Sequence, residues 1–189
     1  FKKVVLADGI SEYATPVFDA AEARITLTFL EAWGGALSYT FQLYFDFSGY
    51  SDMAIGIARM FGIRLPLNFN SPYKATSIID FWRRWHITLS RFLRDYLYFP
   101  LGGSRKGKLR RNTNIMITML LGGLWHGAGW TFVLWGGLHG VYLVINHVWR
   151  AIFKSNIKTK LGIYSAWLIT FLTIVVSWVP FRAESLDGA

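Results

Sequence analysis

The chain has 189 residues, of which 53% are hydrophobic, 17% aromatic and 16% charged, and it carries a net charge of +9 at pH 7. That mix is more apolar and less charged than water-soluble domains use, and the basic residues gather in short loops between apolar runs, which fits the positive-inside pattern of membrane proteins and argues against a nucleic-acid partner. The absence of cysteine excludes a disulfide framework, a thiol nucleophile and a thiolate metal site.

The expected fold class is therefore all-α, a polytopic membrane helical bundle. Because the chain opens at Phe1 and stops in the polar run from Arg182 to Ala189, residues 1–189 are expected to form one partial domain, a fragment of a larger fold. No signal-peptide pattern opens it, since Lys2 and Lys3 precede only a brief apolar run before Asp8. Residues Ile25 to Phe47 are mostly apolar, contain Glu31, Gln42 and Asp46, and suffice for one crossing at ~20 residues per span. The small and acidic cluster from Asp46 to Asp52 predicts a turn, a short helix follows from Met53 to Phe61, and Asn68 to Tyr73 is loop.

From Ser77 the pattern becomes that of one amphipathic helix, interfacial or packed on the bundle. Ser77 and Asp80 form a capping start, apolar residues recur at Ile78, Phe81, Trp85, Leu89, Phe92 and Tyr96, and arginines take the other side. It is too charged to cross lipid, and Pro100 with Gly102 and Gly103 stops it. The basic segments Arg105 to Arg111 and Arg150 to Lys160 both belong in the cytoplasm, which requires an even number of passes between them. Residues Ile115 to Val148 supply those passes, with a break at the small residues Gly122, Gly123 and Gly127 to Gly129. His126 then sits at a bend before a helix from Trp130 to Val148. In an unbroken helix His126 and His139 would point about 220° apart, at ~100° per residue, and could not share a site on one face. Leu161 to Val179 forms a last span. Gly123 with Gly127, and Gly136 with Gly140, have the spacing that lets helices approach closely.

Four histidines are the candidates for chemistry. His126 has three readings: catalytic base, structural hydrogen-bonding group, or metal ligand. An ionisable side chain is costly in an apolar stretch, and the glycines around it leave room for a substrate, which favours the base. His86 lies at the edge of the amphipathic helix, where helical pattern alone favours an interfacial residue over a second catalytic or orienting group. His147 reads as an interfacial anchor beside Trp149, and His139 stays open. No metal site is expected, because the histidines lack zinc-motif spacing. Asp46 and Asp52 have three readings: they cap a helix, orient a histidine or coordinate a cation. Arg83, Arg84, Arg91 and Arg94 either hold a phosphorylated donor or face lipid headgroups, the commoner arrangement.

Several ordered motifs resemble the membrane-bound O-acyltransferase family. They run Tyr44 to Gly56, Asn68 to Tyr73, Phe81 to Ser90, Tyr98 to Gly103 and Gly123 to Gly127, and the likeness extends from about Phe1 through Arg182. The resemblance implies an all-helical, multi-span enzyme of the bacterial inner membrane, with the acyl-transfer histidine at His126 and the second family histidine at His86. It implies a cytoplasmic acetyl-coenzyme A or related acyl donor as substrate, with no bound cofactor. The implied acceptor is a hydroxyl of an extracytoplasmic polysaccharide of the alginate type, reached with periplasmic acetyltransferase partner proteins. The competing class is a non-catalytic transporter or scaffold of a polysaccharide export complex. It would call for acidic partners within the spans and internal repeats; Glu31 is the clear mid-span acid, and the sequence shows no repeat.

Overall fold

The computed structural model describes residues 1–153 and 159–189, so Lys154 and Lys158 of the second basic segment lie outside the described residues. All regular structure among the described residues is helical, and the chain divides into two compact units, residues 1–68 with 178–189 and residues 69–177.

The first unit opens with a wide π-helical turn, Lys2–Ala7, that leads into α1 (Asp8–Glu22) and α2 (Phe29–Met60). No α1 is expected from the sequence pattern, because its buried stripe is sparse, reduced to Ala14 and Phe18 behind Ala7. Thr28 caps α2 in a reciprocal box. Its hydroxyl accepts from the Glu31 amide at 3.4 Å, and the Glu31 carboxylate accepts from the Thr28 amide at 2.8 Å. Glu31 is therefore a cap residue at the helix start rather than a mid-span acid.

The predicted turn at Asp46 to Asp52 does not occur, and α2 runs straight through it to Met60. The small residues there form a groove. Ser48 and Gly49 are buried, and a methyl on Gly49 would lie 3.1 Å from Lys2 Cβ and 3.2 Å from the Lys3 amide. The acids on either side of the groove hold the N-terminal turn, Asp46 pairing with Lys3 and Asp52 with Lys2 at 2.7 Å. Neither acid caps a helix. Gly35 likewise admits Val17 of α1, and Phe18 meets Tyr39 edge to face at 5.6 Å. The C-terminal tail is held by Glu22, whose carboxylate accepts from the amides of Glu184 and Ser185 and from the Ser185 hydroxyl.

The second unit holds α3 (Ile78–Trp82), α4 (Ile87–Phe92), α5 (Gly107–His126), α6 (Trp130–Phe153) and α7 (Lys160–Arg182) as far as Ser177. Of the described helices, α7 is the one both long and apolar enough by composition to cross a membrane. The helix expected to be continuous from Ser77 is broken into α3, α4 and a π-helical turn at Leu93–Tyr98. Ser77 does cap α3, accepting from the Asp80 amide at 3.2 Å. The break follows because the Arg84 carbonyl is taken by the Asn70 amide at 2.9 Å and His86 adopts a left-handed conformation, φ 41° and ψ 57°.

The bend after His126 is present as expected, with α5 ending at that residue and α6 starting at Trp130. The two helices pack as an antiparallel hairpin. A methyl on Gly123 would overlap the Phe132 carbonyl, one on Gly136 would overlap the Met119 carbonyl, and one on Gly140 would lie 2.7 Å from Met116 Sδ. The glycine spacing is thus a close helix crossing, the packing role. Asn114 of α5, fully buried, donates to the carbonyls of Leu101 (3.1 Å) and Gly103 (2.9 Å) and so ties down the loop before the helix.

Candidate active site

The second unit brings together residues far apart in sequence. His126 is the last residue of α5 and half-buried, and its ring meets the edge of Trp135 at 5.1 Å and that of Trp125 at 5.0 Å. The bend makes the first contact possible. It folds α6 back along α5, so Trp135, one turn before His139, touches both histidine rings, the second at 4.8 Å.

His86 occupies the strained turn between α3 and α4. A non-glycine residue in left-handed conformation costs about 1–3 kcal/mol and persists only where surrounding structure over-determines it, which is common at functional sites. Those surroundings are visible. Trp85 is buried between Phe69 (5.0 Å, edge to face), Tyr73 (6.0 Å, stacked) and Phe81 (5.7 Å, stacked). Tyr73 is itself held, its carbonyl accepting from Trp167 Nε1 at 2.8 Å. Asp80 pairs with Arg84 at 2.9 Å across the same turn. Thr88 Oγ1 lies 3.4 Å from His86 Nδ1.

α3 and α4 are too short to span a membrane, so His86 stands outside the spanning segments. Burial, and to a smaller extent the proximity of His126, pushes its imidazole down to about 4. The two rings are close enough for a charge on one to oppose a charge on the other. The structure thus brings the two sequence-predicted histidines into one locality, with His86 neutral around pH 7. Both remain partly exposed, the condition a group must meet to exchange a proton with a bound molecule.

The other candidates fall elsewhere. Asp46 and Asp52 belong to the first unit and are engaged with lysines. Arg84 is committed to Asp80, and Arg94 to Asp95 at 2.7 Å and to the face of Phe99, while Arg83 and Arg91 are exposed. Among the described residues, no three His, Asp or Glu side chains converge as a metal-binding group. Helical spacing puts Trp82 near His86, but sequence pattern leaves His139 open and misses Trp135 as part of this locality. Its one available signal is the four-residue spacing of Trp135 and His139, which puts both on the face of α6 turned to α5.

A protein whose described structure is all helical, with two half-buried histidines beside an aromatic cluster, is the class that fold and site define. Residues 3–181 match the membrane-bound O-acyltransferase (MBOAT) family. The chain is 55% identical over 189 residues to the peptidoglycan O-acetyltransferase of Helicobacter pylori, covering all of this chain and 35% of that protein. It is 51% identical over 188 residues to the Probable alginate O-acetylase AlgI of Azotobacter vinelandii, covering all of this chain and 36% of that protein. Against the teichoic acid D-alanyltransferase of Streptococcus thermophilus it is 35% identical over 166 residues, 76% of this chain and 39% of that protein. The chain belongs to the MBOAT family, a family of membrane acyltransferases, and it spans about a third of the length of the relatives it matches.

Proposed function

We propose that this segment carries the acyl-transfer centre of a multi-pass inner-membrane O-acetyltransferase. The observation that carries the proposal is the convergence of His126, at the end of α5, with His86, on a strained turn fixed by aromatic packing. His126 is the general base. Its imidazole takes the proton from an acceptor hydroxyl as the oxygen attacks the carbonyl of an acetyl thioester, the carbon–sulfur bond then breaks, and the thiolate leaves with the proton that His126 held. General-base assistance supplies roughly 10²- to 10⁴-fold, so positioning and stabilisation of the oxyanion supply the rest. His86, kept neutral by burial, donates an N–H to the developing oxyanion. A neutral donor performs this role without delivering a competing proton.

The donor is a cytoplasmic acetyl thioester such as acetyl-coenzyme A, used as substrate. The acceptor is a hydroxyl of an extracytoplasmic polysaccharide, either an alginate-type polymer or peptidoglycan. The two kinds of relative named above, each at least 51% identical, support acetyl over other acyl groups. Periplasmic partner proteins receive or place the acetyl group. In the full-length protein, His126→Ala is expected to abolish polymer O-acetylation, measured as base-released acetate, at unchanged protein level and membrane insertion. Retained acetylation would sink the assignment of the base.

A further inference from the structure

We propose that His139 is a positioning residue, holding through Trp82 the turn that presents His86 toward His126. This rests on the acyl-transfer reading above. His139 is fully buried on α6, and its Nδ1 accepts a hydrogen bond from Trp82 Nε1 at 3.3 Å. An indole N–H is a donor only. The bond therefore requires a lone pair on Nδ1 and places the imidazole proton on Nε2. A cationic ring would set N–H against N–H, so His139 holds this bond only as the neutral Nε2–H tautomer and takes up no second proton as a base.

The contact falls at a decisive place in the chain. Trp82 is the last residue of α3, and the turn that follows delivers His86. His139 also stacks on the preceding residue, Phe81, at 6.2 Å and 18°, and Phe81 in turn stacks on Trp85 at 5.7 Å and 16°. One imidazole thus grips both final residues of α3. On its other side His139 meets Trp135 at 4.8 Å, and Trp135 meets His126 at 5.1 Å. A continuous set of rings sets the spacing between the two candidate catalytic histidines, with His139 at its centre. Turn geometry is sensitive to such a support, because a shift of about 1 Å in a reacting group can cost 10²-fold in rate.

The test compares His139→Leu, His139→Asn, Trp82→Phe, the double variant Trp82→Phe/His139→Leu and His126→Ala in the full-length protein, in cells. The initial rate of ester-linked acetate accumulation in the polymer is normalised to protein in the membrane. The leucine and phenylalanine variants are expected to fall about 10- to 100-fold. The double variant should fall no further than the worse single one, since both remove the same bond. His139→Asn offers an amide oxygen near the Nδ1 position and should stay close to the natural rate with an unchanged pH profile. A mere packing role predicts the opposite order, leucine better than asparagine, and would overturn the proposal. A changed pH profile in His139→Asn would overturn it too, by assigning His139 a proton. Should His139→Leu fail to reach the membrane, Trp82→Phe against His139→Asn decides alone. Natural rates in Trp82→Phe and His139→Leu beside an inactive His126→Ala would refute the positioning role only. A fully active His126→Ala would refute the underlying acyl-transfer reading.

Discussion

Gly136 and Gly137 are neighbours on α6, yet the hairpin assigns them opposite responses to the same added methyl group. At Gly136 the methyl would overlap the Met119 carbonyl oxygen, lying also 3.2 Å from the Met119 carbonyl carbon and 3.3 Å from Gly123 Cα. All three are backbone atoms, so no side chain can swing away and the helices must part. At Gly137 the nearest atom is Leu120 Cδ2 at 3.7 Å, an ordinary contact with a flexible neighbour. Replacing glycine by alanine within a helix stabilises by roughly 0.5–1 kcal/mol, and that gain is common to both sites. Their difference isolates the overlap, which costs about 1–3 kcal/mol in a packed core. Gly137→Ala should therefore be slightly more stable than the natural protein, and Gly136→Ala less stable than Gly137→Ala by about 1–3 kcal/mol. The assay is denaturant unfolding of the full-length protein in detergent, followed by tryptophan fluorescence, with midpoints compared at equal slope. Acetylation rate gives a second measure. Gly136 adjoins Trp135, which touches both His126 and His139, so Gly136→Ala should also lose activity while Gly137→Ala keeps it. Equal midpoints for the two variants would refute the close-crossing geometry.

Asn114→Ala removes the two hydrogen bonds that hold Leu101 and Gly103, at about 1–3 kcal/mol for the buried Gly103 carbonyl left unsatisfied and less for the part-buried one of Leu101. Trypsin should then cut at Arg105 or Lys106 faster than in the natural protein, and an unchanged cutting rate would count against the anchor. Glu22 gives a pH prediction. Hydrogen bonds from the Ser185 hydroxyl, then from the Ser185 and Glu184 amides, with Arg182 nearby, hold its carboxyl below its ordinary value of 4.5. A carboxyl depressed on folding adds stability above its unfolded value, and that stability is lost as pH falls through the folded value. The natural protein should therefore lose more stability than Glu22→Gln between neutral pH and about pH 3, read as unfolding midpoints; parallel acid limbs would refute the link. Single cysteines test orientation, the chain having none of its own. A membrane-impermeant maleimide should label Ala128→Cys in intact cells and Ser104→Cys only after the membrane is opened, and the reverse pattern would invert the proposed topology.

Legibility in the sequence followed the physical origin of each feature. The bend at Gly127 to Gly129, the cap at Ser77 and the last helix were readable, because each depends on local chain chemistry: small residues, a hydroxyl before a helix, an apolar run of sufficient length. The continuity of α2 was not. Asp46, Ser48, Gly49 and Asp52 are turn formers taken alone, yet they lie inside α2, where the N-terminal turn packs on Gly49 and two lysines more than 40 residues away pair with the acids. The same holds at His86. Periodicity asked for an unbroken helix there, and a backbone bond from Asn70 with the packing of Phe69 and Tyr73 on Trp85 overrode it. His139 could not be assigned from an unbroken helix, in which it faces away from His126. Only the folding back of α6 on α5 brings Trp135 between them.

The hairpin also acts as a ruler for the proposed reaction. From Arg111, near the start of α5, to His126 is 126 − 111 = 15 residues, or about 22 Å at 1.5 Å per residue. Antiparallel packing returns Arg150, near the end of α6, toward the same basic end. If that end marks the cytoplasmic surface, His126 stands roughly three-quarters of the way across a ~30 Å hydrocarbon core. Backbone without helical hydrogen bonds is tolerated at such depth only where protein or water surrounds it, and the break at Gly127 to Gly129 is at that depth. Water entering from the far side has the shorter path to it. The two substrates then face unequal journeys. An acceptor hydroxyl needs to enter only about 8 Å, whereas an acetyl group from the basic side must be carried about 22 Å, by the estimates above. On the proposed reading, that asymmetry suits a thioester on a long flexible arm, whose bulky anionic end would stay at the basic side while its acetyl end reached His126.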